Sequence, residues 1–284
     1  MIFGLFAATG WGLADFFAAL AGRRMGSLAT VIVGQSLCAV FMTVIVLATG
    51  TSVGVLHGLL GPVALNGVFT ATAYATHYRA LELGPVAVVS PIGASFAVVG
   101  IALAMIFLHE RPTTLQLLGS GVTIVGVVLV STDLRALRAG IHERAPGLWW
   151  AIVSAVGFGV AAFLLGYVSL KAGWVAGLWG SRTAQIVCLI PLAVARPRDV
   201  ARIAKAGAAA IGLGLAAGAA DILGVTTYAA GAARGQLSIV LAASAIFPLI
   251  AVILSYAFLH ERLVTNQYVG IGLVVGGLLL LGLA

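Results

Sequence analysis

The sequence predicts an all-α membrane protein of ten transmembrane helices, arranged as two inverted five-helix repeats. Three observations predict this class. Of 284 residues, 62% are hydrophobic and only 8% are charged, too few polar groups to cover a water-soluble globule of this size. Apolar windows of about 20 residues, the length that crosses a hydrocarbon core of about 30 Å, follow one another along almost the whole chain. Finally, residues 84–130 align without a gap with 235–281, sharing the Phe-Leu-His-Glu-Arg run and several glycines.

In chain order the spans fall near 2–22, 28–49, 58–80, 85–108, 114–132, 147–170, 174–195, 207–230, 236–259 and 265–283. The chain is apolar from Ile2, with no basic leader and no small-residue cleavage site, so the first stretch reads as a span and not as a removable signal peptide. Spans two and seven carry "QSLC" at 35–38 and "QIVC" at 185–188. Cys38 and Cys188 lie mid-span, without metal-ligand spacing, and read as buried apolar thiols. Between the fourth and fifth spans stands "FLHERPTTLQ", and between the ninth and tenth "FLHERLVTNQ". Here Pro112 with Thr113 or Thr114, and Thr265 with Asn266, read as start signals for the next helix, and the His-Glu-Arg turns read as caps and boundaries at the membrane surface. The Gly-rich fifth and tenth spans lack the Lys and Ser/Thr of a nucleotide loop. Gly272 and Gly276 form a GxxxG, which points to close helix packing.

The duplication pairs Phe96 with Phe247, the Phe-Leu-His-Glu-Arg run at 107–111 with 258–262, and Gly119, Gly121 and Gly126 with Gly270, Gly272 and Gly277. "GWG" at 10–12 answers "GFG" at 157–159. Each half therefore holds five spans: a first repeat at 1–132, a connection at 133–146 and a second repeat at 147–284. An odd number of spans makes the second copy enter the membrane from the opposite side, so the repeat is inverted and its two HER turns face opposite sides. Arg23, Arg24, Arg79, Arg135, Arg138, Arg144, Arg196, Arg198, Arg202, Lys205 and Arg262 lie in odd-numbered connections, against Arg111, Lys171 and Arg234 in even ones. The positive-inside bias then puts the odd connections in the cytoplasm and both termini outside. That distribution also accounts for the net charge of +7 without invoking nucleic acid.

Ionisable residues inside a span are costly and should face a cavity or a partner. Asp15, Arg182 and Asp221 are well inside, His77 lies nearer an edge, and Gln35, Asn66 and Gln185 add amides. Depth along alternating helices, at about 1.5 Å per residue, predicts one layer of Arg182, Asp221 and Asn66 and another of Asp15, Gln35 and His77, with Gln185 between them. Trp11 and Asp15 share a helical face, as do Asp221 and Tyr228. With Tyr74 and Trp179 these residues make the expected substrate-binding set, although Trp174 and Trp179 also suit interfacial anchoring. Arg182 offers a planar fork for a carboxylate, or else forms a closed pair with Asp221. Asp15, whose one neighbouring cation at its level is His77, is the candidate proton carrier.

The chain resembles the drug/metabolite transporter superfamily, in particular its ten-helix EamA-type members. The resemblance rests on Trp11-Gly12 early in the first helix, Tyr78-Arg79-Ala80-Leu81 closing the third, Tyr228-Ala229-Ala230 in the eighth, Pro248 in the ninth, and a Glu closing the fourth and ninth. Where the family usually writes Gly-Glu at that closure, this chain writes His109-Glu110 and His260-Glu261. The resemblance implies a secondary transporter, an exporter that works by alternating access on a small organic metabolite. Arg182 points to an amino acid or related carboxylate, and with no ATP-binding motif in the chain the energy source is expected to be the solute gradient or protons. A multidrug or cation exporter of the same fold is the alternative, and a channel or an intramembrane enzyme the alternatives of other classes. No catalytic residue, metal or cofactor is expected. The expected partners are a small-molecule substrate and the lipid bilayer, not nucleic acid, with a homodimer left open, and the expected location is a bacterial inner membrane.

Overall fold

The computed structural model describes residues 1–83, 92–131, 147–235, 237–250, 253–254 and 265–283. These are helical with short connections, and no strand occurs among them. We number the helices α1 (Ile2–Met25), α2 (Ser27–Thr49), α3 (Leu60–Leu83), α4 (Phe96–Phe107), α5 (Thr114–Ser131), α6 (Leu148–Ala172), α7 (Trp174–Ala195), α8 (Pro197–Lys205), α9 (Ala208–Ala232), α10 (Leu237–Ser244) and α11 (Thr265–Leu283). A 3₁₀ turn, Gly54–Leu59, leads into α3.

Among the described residues, six helical stretches are long and apolar enough to cross a membrane: α1, α2, Gly54–Ala80, α6, α7 and α9. Four shorter apolar stretches, Ile92–Phe107, Thr114–Gly126, Leu237–Ile250 and Tyr268–Gly277, fall where the other spans were expected. The connection at 196–206 holds a helix that its charge run had not announced. Pro197 opens it at a position where a missing N–H costs nothing. The expected connection at 133–146 and the second HER turn, His260-Glu261-Arg262, lie outside the described residues.

Glycines set the packing, and the contacts come in related pairs. A Cβ on Gly12 would lie 2.6 Å from the Phe247 carbonyl, and one on Gly159 would lie 2.7 Å from the Phe96 carbonyl. A Cβ on Gly126 would meet Gly270 O at 2.9 Å, and one on Gly277 would meet Gly119 O at 2.7 Å. Gly218 backs onto Gly34, while Gly67 backs onto Ala184. The tight seam between α5 and α11 thus uses Gly119, Thr123 and Gly126 against Gly270, Val274 and Gly277. The GxxxG formed by Gly272 and Gly276 does not make this seam. Both of those glycines face open space, because the buried stripe of α11 runs through 270, 274 and 277 instead.

The first HER turn is resolved in detail. His109 has φ 52, the one positive φ outside glycine among the described residues. Leu108 N and Glu110 N both return to Ala104 O, so the chain leaves α4 through a left-handed cap where glycine is usual. Thr113 and Gln116 form a reciprocal capping box: Gln116 N donates to Thr113 Oγ1 at 3.2 Å and Thr113 N donates to Gln116 Oε1 at 2.9 Å. The helix-start reading of this turn is therefore local. Glu110 does something else. Its carboxylate accepts from Leu237 N at 2.7 Å, Ser238 N at 3.0 Å and Ser238 Oγ at 2.6 Å, and so caps α10 across the molecule.

Candidate functional site

Between α1, α3, α4, α6, α7 and α9 lies a cavity enclosing about 830 Å³ of space, part of it continuous with the outside. Its walls are aromatic. Trp11 packs edge-on against Phe96 with ring centres 6.0 Å apart, and tilted against Tyr228 at 5.5 Å. Phe96 meets Phe247 at 6.2 Å, and Phe158 stands edge-on to Tyr74 at 5.0 Å. Such apolar walls with a few convergent polar groups are what small-molecule sites are made of.

The polar groups gather at two places. At the first, Arg182 Nη1 donates to Gln35 Oε1 at 2.8 Å and to Gln185 Oε1 at 2.7 Å, and Nη2 donates to Asp221 Oδ2 at 3.2 Å. Asp221 also accepts from Gln35 Nε2 at 3.2 Å and from the Tyr74 hydroxyl at 2.7 Å. The Arg182 guanidinium lies 5.8 Å from the centre of the Tyr74 ring. Arg182 and Asp221 are 5% and 3% exposed, and charges so deep persist only when paired and hydrogen-bonded. Arg182 Nε, Gln185 Nε2 and Ser181 Oγ remain without a hydrogen-bond partner among the described residues, and all three residues line the cavity. At the second place, His77 Nε2 stands 3.6 Å from Asp15 Oδ2, with side-chain exposures of 4% and 21%. His77 Nδ1 is buried and has no hydrogen-bond partner among the described residues.

The expected layers are therefore redrawn. Asp15 and His77 meet, and so do Arg182 and Asp221. Gln35 belongs with Arg182 and not with Asp15, because its amide bridges Arg182 and Asp221 from behind the cavity lining. Asn66 lines the cavity, yet it bonds to Ala161 O at 2.7 Å and to the Thr70 hydroxyl, not to Arg182. Tyr228 donates its hydroxyl to Ala162 O at 2.8 Å while its ring faces Trp11. Trp179 stands outside the lining, its indole N–H donating to Thr43 Oγ1 at 3.2 Å. Of the two cysteines, Cys38 is buried and Cys188 half-buried, both as free thiols. Phe96, Phe158, Phe247 and Ser181 were not among the expected site residues. The repeat held the signal for the three phenylalanines, since Phe96 answers Phe247 and Phe158 answers Trp11.

The model of the EamA-like transporter family matches residues 1–132 and 145–283. The chain belongs to the EamA-like transporter family. Membership places it in the drug/metabolite transporter superfamily, among multi-pass membrane transporters of small molecules and not among enzymes. Among solved structures, a crystal structure described only as that of a protein aligns with TM-score 0.72 and 17% identity, covering 99% of this chain and 96% of the other, a likeness of fold alone. No curated protein matches the sequence. For an EamA-like transporter, a cavity reached by both stretches of the family match is the natural candidate for the solute site.

Proposed function

We propose that the protein is a secondary transporter that exports a small organic metabolite, an amino acid or related carboxylate, by alternating access. In this reading ten helices form two inverted repeats, 1–132 and 147–284, which rock about the cavity. Three pairs of glycine contacts support the reading: Gly12–Phe247 recurs as Gly159–Phe96, Gly126–Gly270 as Gly277–Gly119, and Gly218–Gly34 as Gly67–Ala184. The observation that carries the substrate class is the set of groups without a hydrogen-bond partner among the described residues, Arg182 Nε, Gln185 Nε2 and Ser181 Oγ, on three residues that line the cavity. Two of these are N–H donors, and a solute bearing an acceptor such as a carboxylate satisfies them. Because both Arg182 terminal nitrogens are held by Asp221 and the glutamines, the acceptor reaches the Nε edge and not the open fork. Asp15, beside His77, carries the proton if transport is proton-driven.

A specific observation favours a second reading, a cation exporter. Asp15 is the more exposed member of its pair and lines the cavity, so it offers a cation a direct carboxylate. Proteoliposome uptake of labelled amino acids, nucleosides and cationic dyes, with and without a pH gradient, separates the two. Carboxylate transport that weakens in Ser181→Ala and Arg182→Ala supports the first. Dye transport that disappears in Asp15→Asn while carboxylates are ignored sinks it.

A further inference from the structure

We propose that one end of the bundle, built from α8 and the turn between α1 and α2, is a binding site for the headgroups of anionic phospholipids. The sequence Pro197-Arg198-Asp199-Val200-Ala201-Arg202-Ile203-Ala204-Lys205 places Arg198, Arg202 and Lys205 at i, i+4 and i+7, one stripe of a helix. At about 1.5 Å per residue a nine-residue helix is far too short to cross a bilayer, so it lies at the level where the long helices end. Its apolar side is already taken: Ile203, with Ala206 and Leu213, packs on Ala21, Met25 and Ala29. What α8 leaves exposed is its basic stripe, beside only the small apolar residues Pro197, Ala201 and Ala204.

The α1–α2 turn extends that charge. Arg202 reaches across Gly26, its Nη1 standing 2.7 Å from where a Cβ on that glycine would lie. This joins the stripe to the neighbourhood of the exposed Arg23 and Arg24 at the end of α1, and exposed Arg196 precedes α8. Among the described residues of these two stretches, six Lys and Arg stand with one acid, Asp199, which pairs with Arg202 at 3.6 Å. The balance there is +5, out of +7 for the whole chain. An amphipathic helix whose apolar face is spent on protein cannot anchor in acyl chains. Its remaining contact with a membrane is electrostatic, with arginine forks meeting phosphate oxygens. A lipid headgroup suits the place better than free phosphate, because the cations stand where the spanning helices end and phospholipid phosphates stand at the same depth.

The test uses the full chain in nanodiscs of phosphatidylcholine, titrated with phosphatidylglycerol or with soluble glycerol phosphate, and lipid retention read by native mass spectrometry. Each basic residue at an anionic surface is worth about a fivefold change in binding. The variant Arg198→Gln/Arg202→Gln/Lys205→Gln should therefore bind phosphatidylglycerol on the order of 100-fold more weakly than the parent. Arg198→Lys/Arg202→Lys should retain most of the binding, which separates loss of charge from loss of fold. Asp199→Asn should bind several-fold more tightly, and Arg111→Gln/Lys171→Gln, in other connections, should match the parent. The proposal is overturned if the neutralised stripe retains the lipid as the parent does. It is equally overturned if both charge-removed variants lose lipid alike, or if soluble glycerol phosphate competes at the lipid's own affinity.

Discussion

Replacing Arg182 by Met tests whether the buried pair holds the bundle together. The guanidinium serves three acceptors, Gln35 Oε1, Gln185 Oε1 and Asp221 Oδ2. Met fills most of the volume and serves none. Asp221 keeps two donors, Gln35 Nε2 and the Tyr74 hydroxyl, but its charge, 3% exposed, loses its one cationic hydrogen-bond partner among the described residues. Removing one member of a buried pair costs about 3–5 kcal/mol. For a chain of 284 residues that is a fall of about 5–8 °C in the unfolding midpoint. Asp221→Leu should cost a similar amount, for it strands Arg182 with two glutamine oxygens. The double variant Arg182→Met/Asp221→Leu removes both charges and should lie well above the sum of the single losses, with a coupling of about 3 kcal/mol. Tryptophan fluorescence during heating, in one detergent at one salt concentration, measures all three. Losses that simply add would mean that the two charges do not depend on each other, and the account of the polar cluster given above would be wrong.

Four further outcomes follow from single contacts. Glu110→Ala removes three hydrogen bonds from the start of α10 and should cost about 1–3 kcal/mol; Ser238→Ala, which removes only the hydroxyl bond, should cost clearly less in the same thermal scan. His109→Gly relieves a left-handed residue and should raise stability by about 1 kcal/mol; a loss would show that the His side chain contributes more than its backbone costs. Gly126→Val sets a branched side chain against Gly270 O and Val274 and should abolish the folded yield on size exclusion, whereas Gly272→Ala, in open space, should leave yield and midpoint unchanged. Trp11→Ala opens the cavity wall between Phe96 and Tyr228 and should raise the transport KM, while Trp179→Phe, outside the lining, should leave it unaltered.

The membrane class and the order of elements are legible in this sequence because composition and span length are read directly by the bilayer. Which face of each helix meets which neighbour was legible only in part. Trp11 and Asp15, or Asp221 and Tyr228, follow helical spacing and do share the cavity. The error over Gln35 has a physical cause. Depth along a helix axis says nothing of rotation about it, and the long amide reaches both Arg182 and Asp221 from a level assigned to Asp15. The GxxxG of α11 misled for the same reason, since Gly277, one residue on from Gly276, is the glycine turned to α5. The capping role of Glu110 is legible in the turn, but its partner, 127 residues away, is not, because sequence distance hides it.

The two halves match in their walls and differ in their charges. Continuing the register of the repeat sets Gln35 opposite Gln185, Trp11 opposite Phe158 and Phe96 opposite Phe247, and all of these lie in or directly behind the cavity wall. The same register sets Asp221 opposite Thr70, Arg182 opposite Ile32, Asp15 opposite Ala162, and His77 opposite Tyr228. The last two pairs occupy equivalent contacts with different chemistry: His77 reaches Asp15, and Tyr228 reaches the carbonyl of Ala162. Packing constraints act on both copies alike, because each half must bury the same helix faces against the other. A solute breaks that equivalence, since it needs its acceptor met on one side only. If the second half were given the first half's ionic contact, by Ala162→Asp with Tyr228→His, the fold should survive in a thermal scan while transport selectivity shifts towards cations. Unchanged selectivity in that folded variant would show that the ionic pair at Asp15 plays no part in choosing the solute.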